Sequence, residues 1–287
     1  NRTFGLSSYT KKFPIAPSFL LDVKMLLVSA RFVLPKGRDA LSSVVVAKEK
    51  LIELVIVEED GTWIVGQTAA VQDFEEWNRR DYGRPAVDPK AGMLPPKVAR
   101  MAVNLAGNPK VLLDPFCGVG TILAEALFSG WQVVGSDQSE IAIDKTRKNL
   151  EFLQGTYEIF VSDATHVSEK IPRESVDAIV TEPFMGAAFG GNDKFQMTND
   201  KLKNTIRGLE KLYIGCLKDW QNILKPAGLV VIALPEYSIA GRTFFVKSVI
   251  DRCESLGYTV CLGPIDYSRP QAVVRRKFFV FQKIWRT

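Results

Sequence analysis

Three carboxylates and two glycines have the types and spacing that could bind a nucleotide. Asp114 follows an apolar run and opens the segment Asp-Pro-Phe-Cys-Gly-Val-Gly-Thr, which contains Gly118 and Gly120. Asp137 and Asp163 each end a further apolar, strand-like run. Asp137 follows the turn by about 20 residues, the offset at which a carboxylate meets ribose hydroxyls in nucleotide-binding β-α-β units. Because parallel strands end at one edge of a sheet, these acids predict a ligand site around the turn.

Two other interpretations of the glycine turn are less favourable. A lone G-x-G is more often an ordinary strand-to-helix turn that needs glycine. Three successive strand-end acids around one such turn argue against that interpretation. A dinucleotide dehydrogenase would need a third small residue in G-x-G-x-x-G/A, and Leu123 occupies that position. The sequence therefore disfavours a nicotinamide cofactor.

The elements that must position these acids alternate between strand-like and helix-like patterns. The patterns predict strands at 111–113, 132–136, 157–162, 176–181, 229–234, 258–265 and 275–282, and helices at 95–106, 121–129, 139–153, 199–224 and 243–256. This alternation predicts an α/β fold with a doubly wound, mostly parallel, seven-stranded sheet. The last two strands are joined too tightly for a parallel crossover, so the final strand must run antiparallel to its partner.

A smaller α+β domain is predicted before this sheet, over residues 1–84. It combines a helical stretch at 17–32 with strand-like runs at 51–57 and 63–71. Gly61 lies between the two runs and can adopt the positive φ of a hairpin turn. The runs therefore predict a β-hairpin inside this domain.

The boundary between the two domains is predicted in the basic linker at 79–92, which contains several prolines and glycines. The second domain then covers residues 85–287. Because the chain starts at Asn1 rather than Met and enters directly on an apolar stretch, we expect the first domain to be truncated.

The composition indicates a soluble globular protein of ordinary hydrophobicity. Hydrophobic residues make up 46% and charged residues 24% of the sequence, and no run of about 18 apolar residues could cross a bilayer. A net charge of +5 permits a polyanionic partner. The four cysteines lie far apart, which indicates neither a disulfide framework nor a zinc site and favours a reducing cytoplasm. These cysteines are Cys117, Cys216, Cys253 and Cys261.

Two motifs resemble those of a known family. Residues 92–99 read G-M-L-P-P-K-V-A, and residues 114–123 closely follow the pattern D-P-F-C-G-x-G-T-x-L. Over residues 88–283 the sequence resembles class I methyltransferases. More narrowly, it resembles THUMP-associated tRNA guanine-N2 methyltransferases of the guanosine-10 type. The first 80 residues resemble the rear part of a THUMP region only loosely.

The resemblance implies a Rossmann-like methyltransferase fold with S-adenosylmethionine as cofactor. By similarity, Asp114 and Gly118 would hold the methionine part, Asp137 the ribose, and Asp163 with Ala164 the adenine. The full set of expected cofactor contacts is Asp114, Phe116, Cys117, Gly118, Gly120, Thr121, Asp137, Gln138, Asp163 and Ala164.

A candidate catalytic loop follows the predicted strand 176–181. Methyl transfer to an exocyclic amine needs an acceptor that orients the N–H and an aromatic face that holds the base. Amino-methyltransferases use (D/N)-P-P-(Y/F), whereas this chain reads Glu-Pro-Phe-Met. One alignment takes Glu182 as the acid, which puts Phe184 in the second Pro position and Met185 in the aromatic position, with Phe184 still close enough to stack. The other anchors on Pro183 and Phe184 and puts Thr181 in the position of the acid. We prefer the first, with Glu182, Pro183 and Phe184 as catalytic residues.

Other segments have weaker functional interpretations. The glycine-rich stretch at 185–191 is equally consistent with a pocket wall and with a flexible loop. His166 has no partner acid at a catalytic spacing and is expected at a helix start. Arg269, Arg275 and Arg276 could contact phosphates, although a basic hairpin is more often solvated surface. No residue cluster supports a metal site.

The sequence thus predicts methyl transfer from S-adenosylmethionine to an exocyclic amine of an RNA base, most simply guanine N2 in tRNA. One alternative is a DNA or rRNA amino-methyltransferase, since the same loop chemistry serves adenine and cytosine. Another is an inactive RNA-binding subunit with the same fold. RNA is the predicted partner, without membrane or metal, and the sequence identifies no protein partner.

Overall fold

The computed structural model describes residues 2–9, 17–26, 30–35, 39–87, 93–108, 110–151, 153, 155–186, 199–239, 241–269 and 272–284. The chain divides into two compact units, Asn1–Asn78 and Arg79–Thr287. Our sequence-based boundary after residue 84 stays a prediction.

The first unit contains a four-stranded sheet with the order β2-β1-β3-β4. Its elements are β1 (Thr3–Ser8), α1 (Pro17–Leu26), β2 (Arg31–Val33), α2 (Ser43–Lys48), β3 (Ile52–Glu59) and β4 (Thr62–Gln67), and helix α3 (Phe74–Tyr82) follows. The predicted hairpin is present, with β3 antiparallel to β4 and Gly61 at φ 78° between them. The predicted helix 17–32 is wrong at its end, because Arg31–Val33 pairs with β1 as a strand.

The second unit contains the large sheet and its helices. The elements are α4 (Pro96–Leu105), β5 (Val111–Asp114), α5 (Thr121–Phe128), β6 (Gln132–Asp137), α6 (Glu140–Glu151), β7 (Tyr157–Val161), β8 (Val176–Thr181), α7 (Asn199–Trp220), β9 (Leu224–Ile239), β10 (Arg242–Phe245), α8 (Lys247–Asp251), β11 (Tyr258–Tyr267) and β12 (Val274–Lys283). A short 3-10 helix covers Val167–Glu169.

The strand order β11-β12-β9-β8-β5-β6-β7 confirms the predicted fold class. Strands β5 to β9 pair in parallel, and β12 runs antiparallel to β11, as the short connection between them requires. Strand β12 is also antiparallel to β9. An eighth strand, β10, pairs with the end of β9. The single helix predicted at 243–256 is therefore wrong, because its first residues form this hairpin and only Lys247–Asp251 is helical. Residues 79–82 of the predicted linker likewise belong to helix α3.

Two apolar layers hold the sheet in place. One layer lies between the sheet and α7 and α8, and the other between the sheet and α4, α5 and α6. Burial of such surfaces is the main favourable term in folding. The large side chains Trp220 and Tyr213 of α7 are fully buried in the first layer. Within the described ranges, no helix has the length and apolarity needed to cross a membrane.

Candidate active site

The acids predicted from the sequence lie at one edge of the large sheet. Asp114 and Asp137 are the last residues of β5 and β6, Asp163 follows β7, and Glu182 follows β8. These four strands are parallel neighbours in the order β8-β5-β6-β7, so their carboxyl ends share that edge. This is where open α/β sheets bind their ligands.

Asp114 is a buried carboxyl group at the centre of the edge, with 1% of its surface exposed. Its Oδ1 accepts hydrogen bonds from the backbone N–H of Phe116 at 3.1 Å and from Thr181 Oγ1 at 2.6 Å. Burial raises the pKa of Asp114 to about 7, and these two donors only partly oppose it. A cation beside Asp114 would therefore stabilise its ionised form.

The glycine turn is tied to the neighbouring strand β6. Gly118 and Gly120 have φ values of 55° and 81°, and a Cβ atom at Gly120 would lie 3.0 Å from Thr146 Cγ2. The Gly118 N–H donates to Asp137 Oδ2 at 3.0 Å, and Thr146 Oγ1 donates to the Gly118 carbonyl at 2.7 Å. Positive φ and the close side chain explain why glycine is needed at these positions.

Asp137 is half-buried, and each of its oxygens accepts one backbone hydrogen bond. Besides the Gly118 N–H, the Ser139 N–H donates to its Oδ1 at 2.9 Å. A carboxylate offers about four lone-pair positions, so Asp137 retains capacity for further donors such as ribose hydroxyls. Gln138, the next residue, is exposed.

The third acid lies at the far side of the edge, and its carboxylate is exposed. Asp163 Oδ1 accepts from the N–H and the hydroxyl of Thr165, at 2.8 and 2.7 Å, and these bonds lower the pKa of Asp163. Ala164 is buried, and its carbonyl accepts from Trp220 Nε1 at 3.0 Å. His166 is exposed and precedes the 3-10 helix, as expected for a helix-start residue.

Other predicted cofactor residues direct their side chains into the protein. Phe116 is half-buried and packs against the apolar layer under α7. Cys117 is buried, with its Sγ 3.7 Å from Thr146 Oγ1, and burial raises the pKa of this thiol. Thr121 Oγ1 accepts from Arg84 Nη1 at 2.7 Å. Ligand contacts from Cys117 and Thr121 would therefore come mainly from their backbone.

The sequence analysis did not identify the residues that support this turn from behind. Asn149 Nδ2 donates to the carbonyls of Val119 at 2.8 Å and Ala86 at 2.9 Å, and its Oδ1 accepts from the Ala86 N–H at 2.8 Å. Together with the Arg84 bond to Thr121, these contacts fasten residues 84–86 to the turn. No motif marked these residues, because their role depends on which segments pack together.

Glu182 forms an ion pair that the sequence did not predict. Arg276 Nε donates to Glu182 Oε1, and the two side chains are 16% and 17% exposed. Burial raises the pKa of Glu182, while the positive charges of Arg276 and Arg269 oppose that rise. The Arg276 guanidinium also lies 6.0 Å from the centre of the Tyr267 ring. The sequence suggests Arg276 as a phosphate contact, whereas the structure places it on the candidate catalytic acid.

The loop after Glu182 is fastened by two tyrosines. Tyr213 OH donates to the Phe184 carbonyl at 2.7 Å, and Tyr237 OH donates to the Met185 carbonyl. Pro183 is buried, whereas the Phe184 side chain is 56% exposed. An aromatic face is thus presented to solvent from a loop whose backbone is held at two points. Residues 187–191 of the predicted pocket wall lie outside the described residues.

Within the described part of the chain, no group of three or more His, Cys, Asp or Glu side chains could hold a metal ion. The metal-free chemistry inferred from the sequence stays a prediction.

Comparison with known protein families identifies the second unit. The family model described as "RMKL-like, methyltransferase domain" matches residues 84–249, more than half of the chain. The chain belongs to this methyltransferase family. The match confirms the methyltransferase resemblance that the motif at 114–123 indicates. It also covers every strand end that carries a candidate site acid.

Two curated relatives of this methyltransferase are archaeal proteins named tRNA (guanine(10)-N2)-dimethyltransferase. The Pyrococcus abyssi protein is 30% identical over 211 residues, which are 73% of this chain and 54% of the relative. The Methanothermobacter thermautotrophicus protein is 35% identical over 192 residues, 65% of this chain and 51% of the relative. The chain thus spans about half the length of the curated relatives it matches.

A solved structure supports the fold of the methyltransferase. The crystal structure of a methyltransferase from Pyrococcus furiosus aligns with a TM-score of 0.51 at 17% identity. The alignment covers 74% of this chain and 94% of the other. Similarity at this level of identity supports the architecture alone.

Proposed function

We propose that this methyltransferase transfers a methyl group from S-adenosylmethionine to the N2 amine of guanine in tRNA. The observation that carries the proposal is the link between the two halves of the site. Thr181 donates a hydrogen bond to Asp114, and Glu182 is the next residue. The candidate acceptor for the amine is therefore held beside the candidate cofactor acid.

The residues at the sheet edge fit S-adenosylmethionine. Buried Asp114 suits the cationic amino group of the methionine part, because its carboxylate is poorly stabilised without a positive partner. Asp137 has lone pairs left for ribose hydroxyls. Asp163 and Ala164 lie one strand further along, where the adenine would extend. When bound, the cofactor supplies an electrophilic methyl group on a sulfonium.

The residues after β8 fit an exocyclic amine as acceptor. Attack by a neutral amine places positive charge on its nitrogen, so an adjacent carboxylate stabilises the transition state more than the ground state. Glu182 is suited to this role, because Arg276 favours its ionised form despite burial. A carboxylate offers about four lone-pair positions, so Glu182 can accept from the amine N–H while it accepts from Arg276. Phe184 would stack on the base, while Pro183 shapes the loop between them.

The relatives support tRNA as the substrate and guanine N2 as the target atom. We extend their names to this chain as a proposal, since it spans only about half of their length. A cytoplasmic location, predicted from the cysteine pattern, is part of the same proposal.

The test combines the full chain with deuterated S-adenosylmethionine and an unmodified tRNA transcript, followed by mass spectrometry of the nucleosides. We expect labelled N2-methylguanosine or N2,N2-dimethylguanosine. A matched transcript with adenosine in place of guanosine 10 should lose the label if the position is that of the relatives. Label in N6-methyladenosine or N4-methylcytidine would replace the proposal with a different amino-methyltransferase. RNA binding without any label would favour the inactive subunit.

A further inference from the structure

Helix α7 (Asn199–Trp220) has one buried and one exposed face. The buried face packs against the sheet and carries apolar side chains three or four residues apart, among them Leu202, Ile206, Leu209, Tyr213 and Leu217. This spacing places them on one side of the helix. On the opposite side, exposed residues lie between Asp200 and Lys211 and again at Lys218, whereas the turn between them carries buried Ile214 and half-buried Gly215.

Four exposed cations form a stripe along that outer face: Lys203, Arg207, Lys211 and Lys218. Their spacing of four, four and seven residues keeps them on one side of the helix. The first and last are 15 residues apart, which corresponds to about 22 Å of helix. We call these four residues the α7 stripe.

The carboxylates of the same helix do not neutralise the stripe. Glu210 accepts the Ser248 N–H at 3.0 Å, and Asp219 accepts the N–H and hydroxyl of Ser168. Asp200 lies 4.0 Å from Lys203 and is itself almost fully exposed. Across the described residues, no carboxylate is within ion-pair distance of the other three cations of the stripe. Like charges four residues apart repel each other, so the isolated helix gains nothing from this arrangement.

The α7 stripe starts beside the candidate catalytic loop. A Cβ atom at Gly186 would lie 3.3 Å from Thr205 Cγ2, and Tyr213 OH holds the Phe184 carbonyl. The same helix thus supports the loop from its buried side and presents positive charge on its outer side. A ligand whose base lies against Phe184 could continue along the outer side of α7.

We propose that the α7 stripe binds the phosphodiester backbone of the RNA whose base enters the active site. Aligned cations, three of which lack a carboxylate partner among the described residues, complement the charges of a polyanion. Such contacts fix the position of an RNA without reading its sequence. This inference rests on the proposed RNA substrate and adds the surface that holds it.

The test measures binding of a fluorescently labelled tRNA transcript to the full chain by fluorescence anisotropy at several salt concentrations. The test variant changes Arg207, Lys211 and Lys218 to glutamate. Its matched control changes Lys110, Lys148 and Arg173 to glutamate, three exposed cations located elsewhere. Both variants alter the net charge equally. A third variant with glutamine at the three stripe positions removes the charges without reversing them.

We expect the stripe reversal to weaken tRNA binding by about tenfold or more and the control to weaken it much less. In the glutamine variant, the slope of log affinity against log salt should fall by roughly 0.7 to 0.9 for each phosphate that is no longer neutralised. Circular dichroism and S-adenosylmethionine affinity should match the wild type in all three variants.

Equal weakening by the stripe reversal and the scattered control would overturn the stripe as a specific surface, because net charge alone would then explain binding. Failure of the proposed function has a different signature. In that case no RNA is methylated by the wild-type chain, whatever the binding curves show. If the glutamate variant of the stripe methylates tRNA at the wild-type rate and binds it with the wild-type affinity, the inference is overturned and the proposed function still stands.

Discussion

The two halves of the candidate site are held by different kinds of contact. At the cofactor half, Asp137 is positioned by N–H groups of the glycine turn and of its own following loop. At the acceptor half, Glu182 is positioned by Arg276, a side chain 94 residues further along the chain. The contacts that hold Asp137 therefore come from one compact β-α-β segment, whereas those that hold Glu182 need two distant strands.

This difference determines how each half should respond to substitution. Backbone N–H groups remain in place when a neighbouring side chain changes, so the position of Asp137 should tolerate distant changes. The Glu182 carboxylate depends on one guanidinium for its charge and direction, and a half-buried ion pair is sensitive to the loss of either partner. Substitution of Arg276 on β12 should therefore affect turnover and leave cofactor affinity nearly unchanged.

The largest effect is expected from Glu182→Gln. The amide keeps the shape and can still accept from Arg276, but it cannot stabilise the charge that develops on the amine. We expect turnover to fall by about 100-fold or more, the scale for one well-placed electrostatic group, with cofactor affinity near the wild-type value. Single-turnover kinetics with labelled cofactor and calorimetry measure the two quantities.

The matched control for this change is Glu236→Gln. Glu236 is also half-buried and lies 3.5 Å from Lys277 of β12, but it belongs to β9 and not to the loop. Its turnover should stay within a few-fold of the wild type. Nearly wild-type turnover in Glu182→Gln would show that the acid has only a structural role. The acceptor for the amine would then be Thr181 or a backbone carbonyl of the loop.

The next effect tests the cofactor half through Asp137→Ala. This change removes the acceptor of two backbone N–H groups and the proposed partner of the ribose. We expect S-adenosylmethionine affinity to weaken by about tenfold or more, as for the loss of a charge-assisted hydrogen bond. Asp144→Ala on α6, which removes an exposed carboxylate paired with Arg147, should leave the calorimetric affinity unchanged. Equal affinities for Asp137→Ala and the wild type would rule out the ribose assignment.

A third effect concerns the charge state of Glu182 in Arg276→Gln. Loss of the guanidinium removes a positive charge that opposes the effect of burial on the carboxyl group, so the pKa of Glu182 should rise. A carboxylate that must be ionised loses activity as pH falls through its pKa. The acid limb of the turnover profile should therefore move to higher pH. On that limb, turnover should be roughly tenfold lower if the pKa rises by one, with partial recovery at high pH.

Arg276→Lys should shift this limb less, because it keeps the charge. Lys277→Gln is the matched control, since Lys277 is a neighbouring, equally buried cation that pairs with Asp266 and Glu236. Profiles of unchanged shape in Arg276→Gln would show that the ion pair does not tune Glu182.

The smallest effect is a pH dependence of cofactor binding through Asp114. With a pKa of about 7, this carboxyl is mostly protonated at pH 6.5 and mostly ionised at pH 7.5. A ligand ammonium favours the ionised form, so binding should release a proton below pH 7 and weaken as pH falls. We expect roughly a threefold loss of affinity from pH 7.5 to 6.5. Calorimetry in buffers of different ionisation enthalpy measures the released proton, which Asp114→Asn should abolish. If Asp114→Asn releases the same number of protons as the wild type on binding, the proton comes from another titratable group.

Much of the architecture could be predicted because its signals are local. Apolar runs and glycine turns of the second unit indicated the parallel strands and the antiparallel closing strand. The secondary-structure predictions are wrong where pairing between strands overrides the local sequence pattern. Arg31–Val33 continues a helical spacing yet forms a strand beside β1. Arg242–Phe245 becomes a strand because it folds back on the end of β9.

By itself, the sequence determined the acids, the glycine turn and the order of the strands that carry them. Acids at the ends of parallel strands in one β-α-β segment converge, because the strands run in the same direction. Their spacing along the sequence is therefore enough to predict that they meet. Only the tertiary structure decided the partners of those acids: Thr181 for Asp114, Arg276 for Glu182, and Tyr213 and Tyr237 for the loop. The physical reason is that the pairing of β12 with β9 and the packing of α7 on the sheet depend on apolar surfaces. The sequence of those surfaces does not indicate which polar groups they will bring together.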